Sequence, residues 1–192
     1  MTPRSKSFLF GFLAAVLLAL LIAALVIFTG GYNVAATERH TAIGEWALDA
    51  AFTNSVRSEA SGIAAPVFTP AMVAAGAPEY KSMCAHCHGG VGEERAGWAE
   101  GMRPEPPALV DAAYAWSAAE VFWLVKHGAR MTGMPAFGPT HDDATLWSIA
   151  AFVKALPEMP EAQYAAYSSD HEMTGEAEGG HSHAPGTPAH ED

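Results

Sequence analysis

The apolar residues of this chain are unevenly spread. Phe8 to Phe28 is a run of 21 residues without a charge. It is apolar all round, so the helix it predicts has no polar side to turn to water. At 1.5 Å per residue that helix is about 32 Å long, enough to cross a bilayer. Further along, the pattern becomes helical periodicity interrupted by turn residues. Thr41 can cap a helix bearing Ile43, Trp46, Ala47 and Ala50 on one face. That face is modest and reads as a spacer resting on a membrane or a globular unit rather than as a dedicated docking helix. Ser117 and Glu120 form a capping box ahead of Val121, Phe122, Leu124 and Val125, and Gly128 is placed to end that helix. Asp142 can cap another helix running to Leu156, with Leu146, Ile149, Ala150 and Val153 at helical spacing and Pro157 as its stop. The pattern predicts an all-α chain.

Composition sharpens the division. The chain has 192 residues and ten basic against 21 acidic groups, for a net charge of −11. That length holds one ordinary domain with some extra and excludes a large multidomain enzyme. The acidity excludes a nucleic-acid binder, which needs a basic surface to neutralise phosphates. A mean hydropathy of +0.10 is high for so acidic a chain, and the first apolar run accounts for it. Arg4 and Lys6 precede that run, and basic residues beside a first apolar segment stay in the cytoplasm, so the rest is expected outside. A cleaved signal peptide is the competing reading, with Ala35-Ala36 near a cleavage site; the length of the run favours a retained anchor. The expected organisation is an anchor over 1–28, a spacer over 29–68, a folded unit over 69–157 and an acidic tail over 158–192. From about Asp170 onward the tail is rich in Gly, Pro, Ser and Thr and too poor in large apolar residues to offset its ordering entropy, so it is expected to be disordered.

The two cysteines fall in Cys84-Ala85-His86-Cys87-His88, the C-x-x-C-H pattern of c-type haem attachment. Two thiols at this spacing can add to the two vinyl groups of one haem, and the next residue presents an imidazole nitrogen to the iron. An isolated C-x-x-C also suits half a zinc site or a redox dithiol. Zinc wants two further ligands at matching spacing, and the chain has no other cysteine. A dithiol expects a strand ahead of the motif. Haem c is the expected cofactor.

From about Pro70 to Pro157 the sequence resembles the class I, mitochondrial-type c-type cytochromes. Gly76 and Tyr80 match that family's N-terminal helix, where a glycine lets the C-terminal helix cross closely and an aromatic fills the crossing; the resemblance sets Phe152 against Gly76. Pro78 is awkward there and suggests that the helix starts or restarts near it. Pro106-Pro107-Ala108-Leu109 looks like the loop whose proline carbonyl, here that of Pro107, accepts the second ring N–H of the ligating histidine, with Leu109 in the haem pocket. The resemblance implies Cys84 and Cys87 as the covalent attachment and His88 as one axial ligand. The other axial ligand is expected from the run Met131 to Gly138. Met134 matches the family's Gly-Met-Pro, and Met131 is its rival. Met72, Met83, Met102 and Met159 read as gap-filling core residues. Trp123 and Trp147 read as packing residues, while Lys126 and Arg130 read equally as partners for haem propionates or as exposed basic residues at a helix end.

A His/Met-ligated haem closed to small molecules suits electron transfer. The resemblance therefore implies a tethered, single-pass cytochrome c of a bacterial inner membrane, its haem domain in the periplasm. Its redox partners, membrane complexes among them, would carry basic docking patches to meet an acidic surface. A fixed subunit of a larger oxidoreductase is the alternative. A second is a metal-handling protein using His171, His181, His183 and His190 of the tail, with Met173, as weak transition-metal ligands. An enzyme or gas sensor with an open haem site is disfavoured by the single attachment motif and the methionine loop beyond it.

Overall fold

A computed structural model describes residues 3–168, and among these there is no β-strand. The long apolar helix α1 spans Pro3–Thr29, and its Ser7–Thr29 portion is long and apolar enough to cross a membrane. No part of that portion is buried against the rest of the chain. The expected tail ligands His171, Met173, His181, His183 and His190 lie outside the described residues.

Helix α2 spans Ala42–Ala60 and begins as its sequence predicts, with the Thr41 hydroxyl accepting the Gly44 N–H at 3.2 Å. Its expected apolar face is not the one that packs. Ile43 and Trp46 are 78% and 71% exposed, whereas Val56 and Ala60, one turn apart, are buried. Phe52 meets Trp116 edge-on at 5.9 Å, and Arg57 lies 3.9 Å from Glu120 at the start of α6 (Ala118–His127). The helix simply runs on past Ala50, and its packing seam tracks the later i, i+4 series Phe52, Val56, Ala60.

Helix α3 spans Pro70–Glu79, capped by the Thr69 hydroxyl and with Pro70 in its first turn. Of the start or restart expected near Pro78, the start lies eight residues earlier, at Pro70, and Pro78 sits inside the helix, just before its geometry changes. Proline cannot donate a helical hydrogen bond, and directly after it the backbone widens into a π-turn over Tyr80–Cys84, closed by the Ala85 N–H on the Tyr80 carbonyl. A π-turn inserts a residue and rotates the helical turns beyond it. Here the rotated segment is the short helix α4, Ala85–His88, which carries most of the attachment motif.

The core forms where α3 crosses α7 (Asp143–Ala155). A Cβ at Gly76 would overlap the Ser148 carbonyl, so the glycine is what permits the crossing. Its partner differs from expectation: the backbone of Ser148 and Ile149 covers Gly76, while Phe152 lies one turn further on against Tyr80, ring centroids 5.2 Å apart. Phe122 of α6 stacks on Trp147 at 4.0 Å, which makes that tryptophan a packing residue. The α6 capping box between Ser117 and Glu120 is present in both directions, Gly128 ends the helix, and the Asp142 carboxylate caps α7.

Packing continues past residue 157. A 3₁₀ turn over Leu156–Glu158 leads to the short helix α8, Glu161–Ala166, and Met159 and Tyr164 are buried in the core. The Lys81 ammonium donates to the Tyr167 carbonyl at 2.6 Å and sits 4.4 Å above the Tyr164 ring. The packed unit thus takes in α2's second half at one end and α8 at the other. Sequence patterning missed α8 because six residues are too few for a period to show. The remaining helix, α5, spans Leu109–Ala112.

Candidate haem site

The attachment motif is held at both ends by hydrogen bonds. Buried Tyr80 donates its hydroxyl to the Gly89 carbonyl at 2.7 Å, just after the motif, and the Ala96 N–H donates to the His86 carbonyl at 2.9 Å. Gly89 has φ +70°, a conformation other residues rarely adopt, and a Cβ there would lie 2.9 Å from the Glu93 carbonyl oxygen. Helix α4 therefore stops directly after His88.

Cys84 and Cys87 are free, half-buried thiols. Burial pushes the Cys84 thiol up to about 12, and the nearby Cys87 and Glu79 add to the shift. Redox-active dithiols show the reverse, a depressed thiol pKa. No strand precedes the motif among the described residues. No group of three or more His, Cys, Asp and Glu side chains fit to hold a metal ion occurs among them either.

His88 Nδ1 lies 2.8 Å from the Pro107 carbonyl oxygen, the contact expected of this pair. Burial lowers the imidazole's pKa; the Pro107 hydrogen bond opposes this, and the charge of Arg95 adds to the lowering. A neutral ring donating through Nδ1 keeps its Nε2 lone pair for a metal. Arg95 also braces the loop that carries Pro107, donating to the Pro106 carbonyl at 2.7 Å and to Glu105 at 3.0 Å. Sequence reasoning missed Arg95, since a lone arginine in an irregular segment has no local signature. Leu109 is half-buried and packs against the core.

The methionine loop is equally constrained. The Met134 carbonyl accepts the Ala129 N–H at 3.2 Å, and its own N–H donates to the Thr132 hydroxyl at 3.1 Å. Phe137 and Gly138 donate to the Val125 and Lys126 carbonyls at the end of α6. Met134 is half-buried, whereas Met131 is 90% exposed and has φ +63°. Met102 joins the loop to the motif: its sulfur is 3.9 Å from Cys87 Sγ, and its methyl group occupies the space a Cβ on Gly133 would need. The supposed gap-filler thus lies between the attachment segment and the residue preceding Met134. Lys126 is engaged elsewhere, 2.6 Å from Asp143, and Trp123 lies over His127 at 5.0 Å. Arg130 is exposed.

Residues 71–153 match the family model described as cytochrome C oxidase, cbb3-type, subunit III. This segment is a c-type cytochrome domain. No curated protein matches the chain. The cytochrome domain carries covalently bound haem c, and its role is electron transfer. The chemistry present suits that group: two free thiols at attachment spacing, that of Cys84 held protonated by burial, and a neutral imidazole with one nitrogen already satisfied. Of the residues expected from sequence, the fold brings Cys87, His88, Pro107 and the Met134 loop into one neighbourhood through Met102, and it turns Met131 outward.

Proposed function

We propose that the chain is a membrane-tethered periplasmic cytochrome c of a bacterial inner membrane that passes single electrons between membrane-associated redox proteins. Cys84 and Cys87 would hold the haem, and His88 and Met134 would be its axial ligands. The reading rests chiefly on the hydrogen bond from His88 Nδ1 to Pro107 O, which orients one imidazole and makes it a better donor. The bound group supplies a one-electron iron couple, and His/Met ligation raises its potential while closing the iron to exogenous ligands. The chain's own part is to hold both ligands still. The Pro107 carbonyl fixes the histidine ring, and the hydrogen bonds of Ala129 and Thr132 fix the methionine backbone. Ligands that stay put when the electron arrives keep reorganisation small.

The anchor reading is supported by the length and hydropathy of Ser7–Thr29 and by the two basic residues before it. A tether keeps the domain at high effective concentration beside membrane complexes. The acidic balance favours partners with basic patches and an association rate that falls with added salt. A second reading, a fixed cytochrome subunit of a larger oxidoreductase, is favoured by the description of the matching family. Gentle detergent extraction and then size-exclusion chromatography separate them. A carrier elutes at its own size with the haem absorbance, and elution of all the haem in a stable multi-subunit complex overturns the shuttle reading.

A further inference from the structure

Outside α1, exposed large apolar side chains concentrate in one short stretch. Tyr32, Val34, Ile43, Trp46 and Leu48 all lie between residues 32 and 48, whereas later ones such as Trp98, Tyr114 and Met131 are scattered. Rotation of α2 cannot hide Ile43 and Trp46. At 100° per residue, the Ile43, Trp46, Ala47 and Ala50 face lies about 130° around the helix from the Phe52, Val56 and Ala60 seam, and that seam is fixed to the haem domain by Phe52 on Trp116 and Arg57 by Glu120.

The connector from α1 keeps the first face near the apolar helix. Twelve residues, 30–41, separate the two helices, and fully extended they would span about 40 Å. They are not extended. The Tyr32 hydroxyl meets His40 Nδ1 at 2.5 Å and the two rings stack 6.3 Å apart, so residues 33–39 form a closed loop. The Gly31 N–H also donates back to the Val26 carbonyl of α1. Only Gly30 and Gly31 on one side and Thr41 on the other then separate the paired residues from the two helices. The start of α2 is thereby held within a few residues of the end of α1.

We propose that the first half of α2 lies in the lipid interface of the membrane that α1 crosses, with Ile43 and Trp46 among the headgroups. This rests on the reading of α1 as a retained anchor. Tryptophan and tyrosine are the residues that partition to this depth, with an apolar body and a polar tip. The contact is apolar: Arg39 at this end is paired with Glu45 at 3.0 Å, so zwitterionic lipid suffices. Since the other end of α2 is packed on the haem domain, an interfacial α2 holds that domain at a fixed height and orientation over the bilayer.

The test uses the full haem-loaded chain in phosphatidylcholine nanodiscs, with a photoreactive benzophenone amino acid in place of Ile27, Trp46 or Glu59 in turn. Irradiation is expected to add the mass of one phospholipid at positions 27 and 46 and none at 59. Adducts at 27 without adducts at 46 overturn the proposal and leave the anchor standing. Failure at both positions overturns the anchor reading and the proposal with it. Cross-linking of position 46 to a second copy of the chain, in place of lipid, also overturns it.

Discussion

Gly76 of α3 lies directly against the carbonyl of Ser148 on α7, with no room between them for a Cβ. Two effects oppose each other when Gly76 becomes Ala. Inside a helix the change favours the folded state by about 1 kcal/mol through propensity alone. The atom in the way is backbone, however, so α3 and α7 must move apart and the core they enclose must loosen, an overpacking cost of about 1–3 kcal/mol or more. Packing is expected to win. Gly76→Ala should lower the urea midpoint of the haem-loaded protein, by the equivalent of about 2 kcal/mol at the upper part of that range. An unchanged or raised midpoint would mean that the crossing is looser than described.

The methionines near the site have different surroundings and should behave differently. Met134 is half-buried with its backbone anchored on both sides, Met131 is 90% exposed, and Met102 lies against Cys87. Met134→Ala should abolish the weak far-red absorption of ferric iron bound by a thioether and lower the reduction potential. Met131→Ala and Met102→Ala should each keep that band. Loss of the band in either of these, with its retention in Met134→Ala, would reassign the ligand.

Much of the fold was legible in the sequence, because the relevant signals are local. Capping residues Thr41, Ser117 and Asp142 and the terminating Gly128 each act within one or two helical turns, and the apolar run of α1 is contiguous in the chain. The C-x-x-C-H segment and the Pro107 carbonyl contact were legible as well, the second only through family resemblance. The features that stayed hidden depend on residues far apart in the chain. The Phe152 position was one turn off because a crossing angle decides which residue covers Gly76, and no single helix encodes that angle. The seam by which α2 packs on the haem domain left no local sign, because Val56 and Ala60 matter only once α6 is beside them. Arg95 bracing Pro106, Met102 bridging to Gly133, and α8 closing over the core leave no mark on local periodicity.

The role of α8 can be measured. Tyr164 is 2% exposed, and its ring fills the space above Gly90, where a Cβ would collide with it. Removing a buried aromatic costs about 3–5 kcal/mol. Tyr164→Ala should therefore destabilise the haem-loaded protein by roughly 3 kcal/mol, at the lower end of that range because the site is near the chain's packed edge. A chain ending at Pro157 should be at least as unstable. If a protein truncated there melts like the full chain, the folded unit ends where its sequence pattern suggested.

Asp142 gives a prediction with a definite pH window. Hydrogen bonds from the backbone N–H and side chain of Thr145 hold its carboxyl below the ordinary value of 3.8. A carboxyl whose folded pKa lies below its unfolded pKa releases its proton more readily when folded, so the ionised cap stabilises α7. That stabilisation is complete above the unfolded value and is lost as pH falls through the lower, folded one. Thermal melts of the haem-loaded protein should accordingly show a constant gap between native and Asp142→Ala chains from about pH 5 to 7. The gap should then narrow as the pH falls below about 4, leaving only what a protonated carboxyl can still accept from Thr145. Asp142→Asn separates charge from geometry: an amide oxygen can still accept the Thr145 N–H, so this variant should melt near the native temperature at neutral pH, and its advantage over Asp142→Ala should not change with pH. A gap in Asp142→Ala that does not change across the acid range would show that the carboxylate's charge contributes nothing to the cap.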